Sequence, residues 1–238
     1  MSEEELVQLT IDGIPVQVEK GATLMAAISQ AGGDTPVICY HEATTPNGLC
    51  RLCVVEVEGW RTLAPACVTL AGEGMQVRTS SERVQRARKT ILEMLNASVD
   101  LSEAPEIQAQ MDEYQADRER FPQADRRAFS VLDDNPFYVR DYEKCVLCWR
   151  CVQACADDLQ FTYALSVGGR GYETRIATFF EAPMPETTCV FCGNCVAVCP
   201  TNALVGKTEF LMEQGLDYDA IRLAKRKNRK RKNSEVQK

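Results

Sequence analysis

The sequence predicts an α+β chain: two small domains joined by helices. Three observations carry that reading. The first 80 residues alternate short strand signals with one short helix and a cysteine-bearing loop. A helix-period stretch without cysteine follows. Beyond it, eight cysteines recur as two copies of one spacing.

Taken in order, residues 6–19 (LVQLTIDGIPVQVE) read as two short strands around an Asp12-Gly13 turn, a strong hairpin signal. Thr23 is placed to cap a short apolar helix from Leu24 to Ala31, ended by Gly32-Gly33. A loop with Cys39, Cys50 and Cys53 leads to a strand at Val54–Glu58, then Cys67 and a last strand near Met75–Thr79. Hairpin, helix, cysteine loop and further strands, in that order, describe a β-grasp domain over residues 1–80. Ser81 can cap a helix to about Asn96, with Val84, Ala87, Ile91, Leu92 and Leu95 on one face. A second helix is expected near 103–118, within a helical linker region over 81–138. The repeated cysteine runs place a further domain at 139–210, and 211–238 reads as a basic tail.

Hydrophobic residues make up 45% and charged residues 26%, which excludes disorder throughout. No run approaches the ~18 apolar residues of a membrane span. The acidic start MSEEELVQLT lacks the basic and apolar regions of a signal peptide, so a cytoplasmic location is expected. Twelve cysteines are too sparse for a disulfide-built mini-domain, and in a cytosolic chain that number points to metal. From Arg222 to Lys238, nine Lys/Arg and one acid, Glu235, give +8, while the other 221 residues carry −15. An acidic body argues against nucleic-acid binding by the body, while the charge of the tail, KRKNRKRKN, suits RNA, anionic lipid or an acidic partner. The tail reads either as solvated chain or as an arm docking on a partner, since no aromatic interleaves with its charges.

Cys39-x10-Cys50-x2-Cys53-x13-Cys67 supplies four thiolates, enough for one [2Fe–2S] cluster. The close pair, Cys50 and Cys53, is expected to grip one iron, with Cys39 and Cys67 on the other. Buried free cysteines and zinc are the alternatives, but zinc sites usually show two close pairs and this set has one. His41 is the single histidine, which excludes a Rieske centre, and its expected role is a loop hydrogen bond. Cys145-x2-Cys148-x2-Cys151-x3-Cys155 and Cys189-x2-Cys192-x2-Cys195-x3-Cys199-Pro200 repeat the bacterial two-cluster ferredoxin run. By its rule the fourth cysteine of each run, expected at a helix start, ligates the other cluster. Cys145, Cys148, Cys151 and Cys199 then hold one [4Fe–4S] centre, and Cys155, Cys189, Cys192 and Cys195 the other. Ala156 stands where proline usually ends the motif, and Trp149 where a small residue is common; core packing is the expected role of Trp149.

With these motifs in place, ICYHEATTPNGLCRLCVVEVEGWRTLAPACVT resembles the [2Fe–2S] domain of the large iron–sulfur subunit of respiratory complex I. It also resembles the diaphorase small subunit of NAD-reducing hydrogenases and the amino-terminal region of NAD-linked formate dehydrogenase alpha subunits. GGRGYETRI and CVFCGNCVAVCPTNAL are most similar to the formate dehydrogenase version. The resemblance covers roughly residues 6–210. In those relatives a histidine and three cysteines after the first long helix bind another [4Fe–4S] cluster. This chain has Ala97-Ser98-Val99-Asp100-Leu101 there, and no Cys or His from 68 to 144, so that cluster is not expected. No catalytic domain follows, so any catalytic centre is expected on another polypeptide.

The sequence carries no GxGxxG fingerprint, P-loop or GxSxG elbow, and Gly168-Gly169-Arg170-Gly171 reads as a turn between strands. No catalytic residue is therefore assigned. What the resemblance implies is a non-catalytic iron–sulfur subunit relaying electrons between an NAD(P)-binding flavin subunit and a formate dehydrogenase- or hydrogenase-like catalytic subunit. A free ferredoxin-like shuttle is the alternative, and a cluster-based redox sensor a more distant one. With the fourth cluster missing, either a partner-facing or a mobile [2Fe–2S] domain is open.

Overall fold

The computed structural model describes residues 5–223. Most of the basic tail, residues 224–238, lies outside the described residues.

The hairpin forms as its alternation dictates. Strands β1 (Leu6–Ile11) and β2 (Ile14–Glu19) pair antiparallel, with Ile11 opposite Ile14. Leu9, Ile11, Val16 and Val18 all face inward, as a period of two requires. Thr23 caps α1 (Leu24–Gln30), its hydroxyl accepting from the Ala26 N–H at 3.3 Å. Strands β3 (Val54–Val57), β4 (Ala64–Pro65) and β5 (Gln76–Arg78) complete a five-stranded sheet in the order β2-β1-β5-β3-β4. β5 runs parallel to β1 and antiparallel to β3. Leu24, Ala27 and Ile28 of α1 close the core on this sheet.

Ser81 caps α2 (Glu82–Ser98), accepting from the Val84 N–H at 3.4 Å. The buried face is rotated from the expected one: Val84, Arg88, Leu92 and Glu93 point inward, and Ala87, Ile91 and Leu95 are only half-buried. Arg88, 3% exposed, causes the rotation. It donates to the Leu52 and Val54 carbonyls at 3.1 and 3.0 Å and to the Tyr114 hydroxyl at 3.0 Å. α3 (Pro105–Glu113) is shorter than the expected 103–118. Gln115 takes a left-handed conformation (φ 51), and the Gln115 and Ala116 N–H groups cap Asp112 and Met111 in a Schellman arrangement. Val99 and Leu101, where the relatives' extra ligands would stand, are buried in apolar packing with Ile107, Met111 and Tyr114.

The cysteine repeat builds a second unit. β6 (Tyr138–Arg140) pairs with β9 (Leu204–Gly206), and β7 (Ser166–Gly168) with β8 (Arg175–Ala177). The glycine-rich 168–171 stretch sits in the β7–β8 connection. Two short helices, α4 (Arg150–Cys155) and α5 (Asn194–Ala197), pack together beneath these ribbons. α6 (Lys207–Glu213) crosses position 210, because buried Lys207 pairs with Asp133 and anchors the helix. Helix resumes over 218–223, where Ile221 is buried, so packed structure extends into the segment read as tail.

Candidate metal centres

In the first cysteine set, Cys39, Cys53 and Cys67 are buried and Cys50 is half-buried. The thiols form two hydrogen-bonded pairs, Cys39 with Cys50 and Cys53 with Cys67. The expected grouping placed Cys50 with Cys53 on one iron; in the metal-free chain the neighbouring thiols are Cys39 with Cys50 and Cys53 with Cys67. Arg51, between Cys50 and Cys53, adopts a left-handed conformation (φ 59). Backbone N–H groups converge on the sulfurs: Cys50 N–H lies 3.4 Å from Cys39 Sγ, and Leu52 N–H 3.5 Å from Cys50 Sγ. The Gly48 N–H donates to Cys67. Gly48 has φ +64, and a Cβ there would meet Val68 Cγ2 at 3.1 Å, so this approach suits glycine.

Paired thiols share their protons unequally. The hydrogen bond from Cys39 brings Cys50 down to about 5 against the opposing effect of burial, and Cys67 brings Cys53 down to about 7 in the same way. Cys39 and Cys67, as the donors, are pushed up. Thiolate is the form that ligates metal, so each pair offers one ligand already prepared. His41 serves the loop, its Nδ1 accepting from the Ala43 N–H at 3.1 Å.

The repeated runs converge on two places. Cys145, Cys148, Cys151 and Cys199 line one narrow cavity closed by Ile176, Ala203 and Leu204. Cys155 is brought to Cys189, Cys192 and Cys195: burial, then the charges of Cys155, Cys192 and Cys189, push the Cys195 thiol up to about 12. Burial likewise raises Cys145 to about 11 and Cys148 to about 12, and puts Cys151 well above the ordinary thiol range. The fourth cysteine of each run lies at a helix end and not, as expected, at a start. Cys155 closes α4 and Cys199 follows α5, whereas the third cysteines, Cys151 and Cys195, occupy the first turns.

Trp149 departs from its expected core role, being 40% exposed. It is the N-cap of α4 in a left-handed conformation (φ 68), the position held by Gly193 (φ 84) in the other copy. From there its side chain lies over the Cys145–Cys199 cavity.

Among the described residues no three His, Cys, Asp or Glu side chains converge on a single ion. The thiols surround a space, an arrangement that fits a polynuclear cluster better than one zinc. Soft sulfur donors, buried where a free thiolate is costly, suit iron–sulfur ligation.

The two cysteine-rich units are bonded directly to each other. Arg150 Nη2 donates to the Tyr40 carbonyl at 2.6 Å. Asn47 Nδ2 donates to the Cys148 carbonyl at 3.2 Å and to Gln153 Oε1 at 2.8 Å. Asp158 accepts from the Thr45 N–H and hydroxyl at 2.7 and 2.8 Å. Cys39 and Cys148 share one apolar cluster with Ile38 and Leu52. Sequence reasoning missed Arg150, Asn47, Thr45 and Asp158. The available signal was a charged residue, Arg150, inside a Cys148-x2-Cys151 loop.

Fold and sites define an iron–sulfur protein of two domains. Residues 4–82 match the family described as a 2Fe-2S iron-sulfur cluster binding domain, and residues 144–203 match the 4Fe-4S dicluster domain. The chain accordingly carries one [2Fe–2S] and two [4Fe–4S] clusters. It is 37% identical over 224 residues to the NADP-reducing hydrogenase subunit HndD of Solidesulfovibrio fructosivorans, covering 87% of this chain and 37% of that protein. It is 32% identical over 209 residues to the mitochondrial NADH-ubiquinone oxidoreductase 78 kDa subunit of Candida albicans, covering 84% of this chain and 28% of the relative. The chain thus spans well under half the length of both. A solved structure of an NAD+-reducing [NiFe]-hydrogenase in the H2-reduced state superposes with a TM-score of 0.75 at 27% identity, covering 84% of this chain and 87% of that one. No helix among the described residues is long and apolar enough to cross a membrane.

Proposed function

We propose that the chain is an iron–sulfur electron-transfer subunit of a cytoplasmic multi-subunit oxidoreductase. It relays electrons between an NAD(P)-linked flavin subunit and a hydrogenase- or formate dehydrogenase-like catalytic subunit. The observation that carries this reading is the direct bonding of the 39–50 loop to the 148–158 segment, which joins the first cysteine set to the first of the repeated runs. One-electron transfer is the chemistry the clusters supply when bound. Cys39, Cys50, Cys53 and Cys67 hold the [2Fe–2S] centre, with Cys39/Cys50 on one iron and Cys53/Cys67 on the other. Cys145, Cys148, Cys151 and Cys199 hold the first cubane, and Cys155, Cys189, Cys192 and Cys195 the second. Arg150, Asn47 and Thr45 keep the first two sites in register, and the apolar cluster around Leu52 and Cys148 excludes water between them. The basic segment beyond Arg222 docks on a partner.

A tagged chain isolated from its native cell tests the reading. A flavoprotein and a catalytic subunit should co-purify, and NAD(P)H should bleach the visible absorbance of the clusters in that complex. A fully loaded chain that isolates alone and exchanges electrons only with added soluble reductases would instead be a shuttle.

A further inference from the structure

Two arginines beside the Cys145–Cys199 set are buried with no carboxylate in ion-pair contact among the described residues. Arg127 is 9% exposed and Arg150 8%. Arg140 and Lys207, buried cations of the same unit, are conventionally paired with Asp134 and Asp133, and half-buried Lys144 pairs with Glu103 and Asp141. A buried charge without a counter-charge is costly unless neutral acceptors or a bound anionic group compensate it. Arg88 is also buried without an acid, but its Nε and both terminal nitrogens donate to three acceptors and it lies over the Tyr114 ring. Arg150 is not satisfied in this way. Its Nη2 binds the Tyr40 carbonyl, while its Nε is buried with no hydrogen-bond partner among the described residues. Arg127 reaches the carbonyls of Cys145 itself and of Thr174.

Each arginine sits against one ligand of the same set: Arg127 Nη2 donates to the Cys145 carbonyl, and Arg150 stands between Cys148 and Cys151 in the chain, its charge acting on the Cys148 thiol. The other set is built differently. Cys189 meets a neutral hydroxyl, that of Tyr138, at 3.0 Å, and the charges that most affect Cys195 are those of its fellow cysteines. Four thiolates around a cluster leave the assembly negatively charged, and each added electron makes it more so. A fixed cation alongside favours the reduced form.

We propose that Arg127 and Arg150 are the counter-charges of the cluster held by Cys145, Cys148, Cys151 and Cys199, and raise its reduction potential selectively. The second cubane, where Cys189 meets the neutral Tyr138 hydroxyl, is not shifted by them. Reduction adds one electron from an external reductant and moves no other group, so the arginines act as spectators that bias the equilibrium. This inference rests on the ligand sets proposed above.

The test is a dithionite titration of the full cluster-loaded chain, followed by electron paramagnetic resonance. The first cubane's signal is identified as the one that Cys148→Ser perturbs. Within about 12 Å of the cluster, a unit charge acting through an effective dielectric of ~20 should change the reduced-to-oxidised ratio at least about tenfold, or ~59 mV for one electron. Arg150→Met and Arg127→Met should each lower the first cubane's ratio by about that factor, leave the second within about twofold, and be largely rescued by Lys. Unchanged potentials in variants that keep about ten irons, or equal shifts in both cubanes, overturn the proposal. If a Met variant fails to load, Lys decides: restored loading supports the counter-charge role, and failed loading refutes it. A wild-type chain without three centres would overturn the ligand reading instead, so the two failures are distinguishable.

Discussion

Replacing Arg88 with methionine removes the cation that α2 sends beneath the [2Fe–2S] loop while keeping most of its aliphatic volume. Three acceptors lose their donor: the Leu52 and Val54 carbonyls on either side of Cys53, and the Tyr114 hydroxyl. Hydrogen bonds to a charged group contribute about 1.5–3 kcal/mol each, and buried carbonyls left unpaired cost about 1–3 kcal/mol each. Removing the guanidinium also relieves the cost of burying its charge, which offsets part of that loss. The net destabilisation expected is about 3 kcal/mol, a large share of the roughly 5–15 kcal/mol that holds a domain together. Urea denaturation followed by far-ultraviolet circular dichroism reads this as a lower midpoint at unchanged slope. Because two of the orphaned carbonyls flank Cys53, visible absorbance of the [2Fe–2S] centre should be lost ahead of the cubanes. Arg83→Met, on an exposed neighbouring position of α2, is the control and should cost less than about 0.5 kcal/mol. An Arg88→Met midpoint equal to that of the control would refute the clamp.

Four further outcomes follow. Asn47→Ala removes two bonds between the cysteine loops, at about 1 kcal/mol, and should slow electron transfer from the [2Fe–2S] centre to the first cubane in rapid-freeze resonance; an unchanged rate would count against register control by Asn47. Trp149→Gly relieves a left-handed residue by about 1 kcal/mol yet uncovers the Cys145–Cys199 cavity, so the chain should melt no lower but bleach faster in air. Tyr138→Phe removes the hydroxyl 3.0 Å from Cys189 and should lower the potential of the second cubane alone. Cluster loading must displace protons from the buried thiols held at about 11 and about 12. Reconstitution should therefore strengthen as pH rises from ~6 to ~9 and fade as it falls. The sign is opposite for the metal-free fold: its raised thiols support it below the ordinary thiol value, and that support is lost as pH climbs through about 11 to about 12.

What could be read from the sequence was local. Cysteine spacing repeats because each short loop must wrap a cluster, and the hairpin, the Thr23 and Ser81 caps and the β7–β8 turn follow from neighbouring residues. Features set by the folded chain were missed. The approach of Cys50 to Cys39 joins residues 11 positions apart, and nothing in a Cys-x2-Cys spacing states it. Arg88 reads as a surface charge on a helix, because its acceptors lie more than 25 residues away. α3 stops at a left-handed Gln115, where no glycine marks the end. Trp149 has the composition of a core residue, but the backbone demand of its repeat position places it at the surface. The contact between the two cysteine units joins residues about 100 positions apart, beyond any periodicity.

The central claim is that twelve cysteines are divided among three clusters that form one relay. Iron and acid-labile sulfide determination on the fully assembled chain, combined with resonance spectra of its reduced form, tests it most directly. About ten irons and ten sulfides per chain, with one [2Fe–2S] and two [4Fe–4S] signals, is the result the account predicts. About four irons or fewer, or a single type of centre, would contradict it.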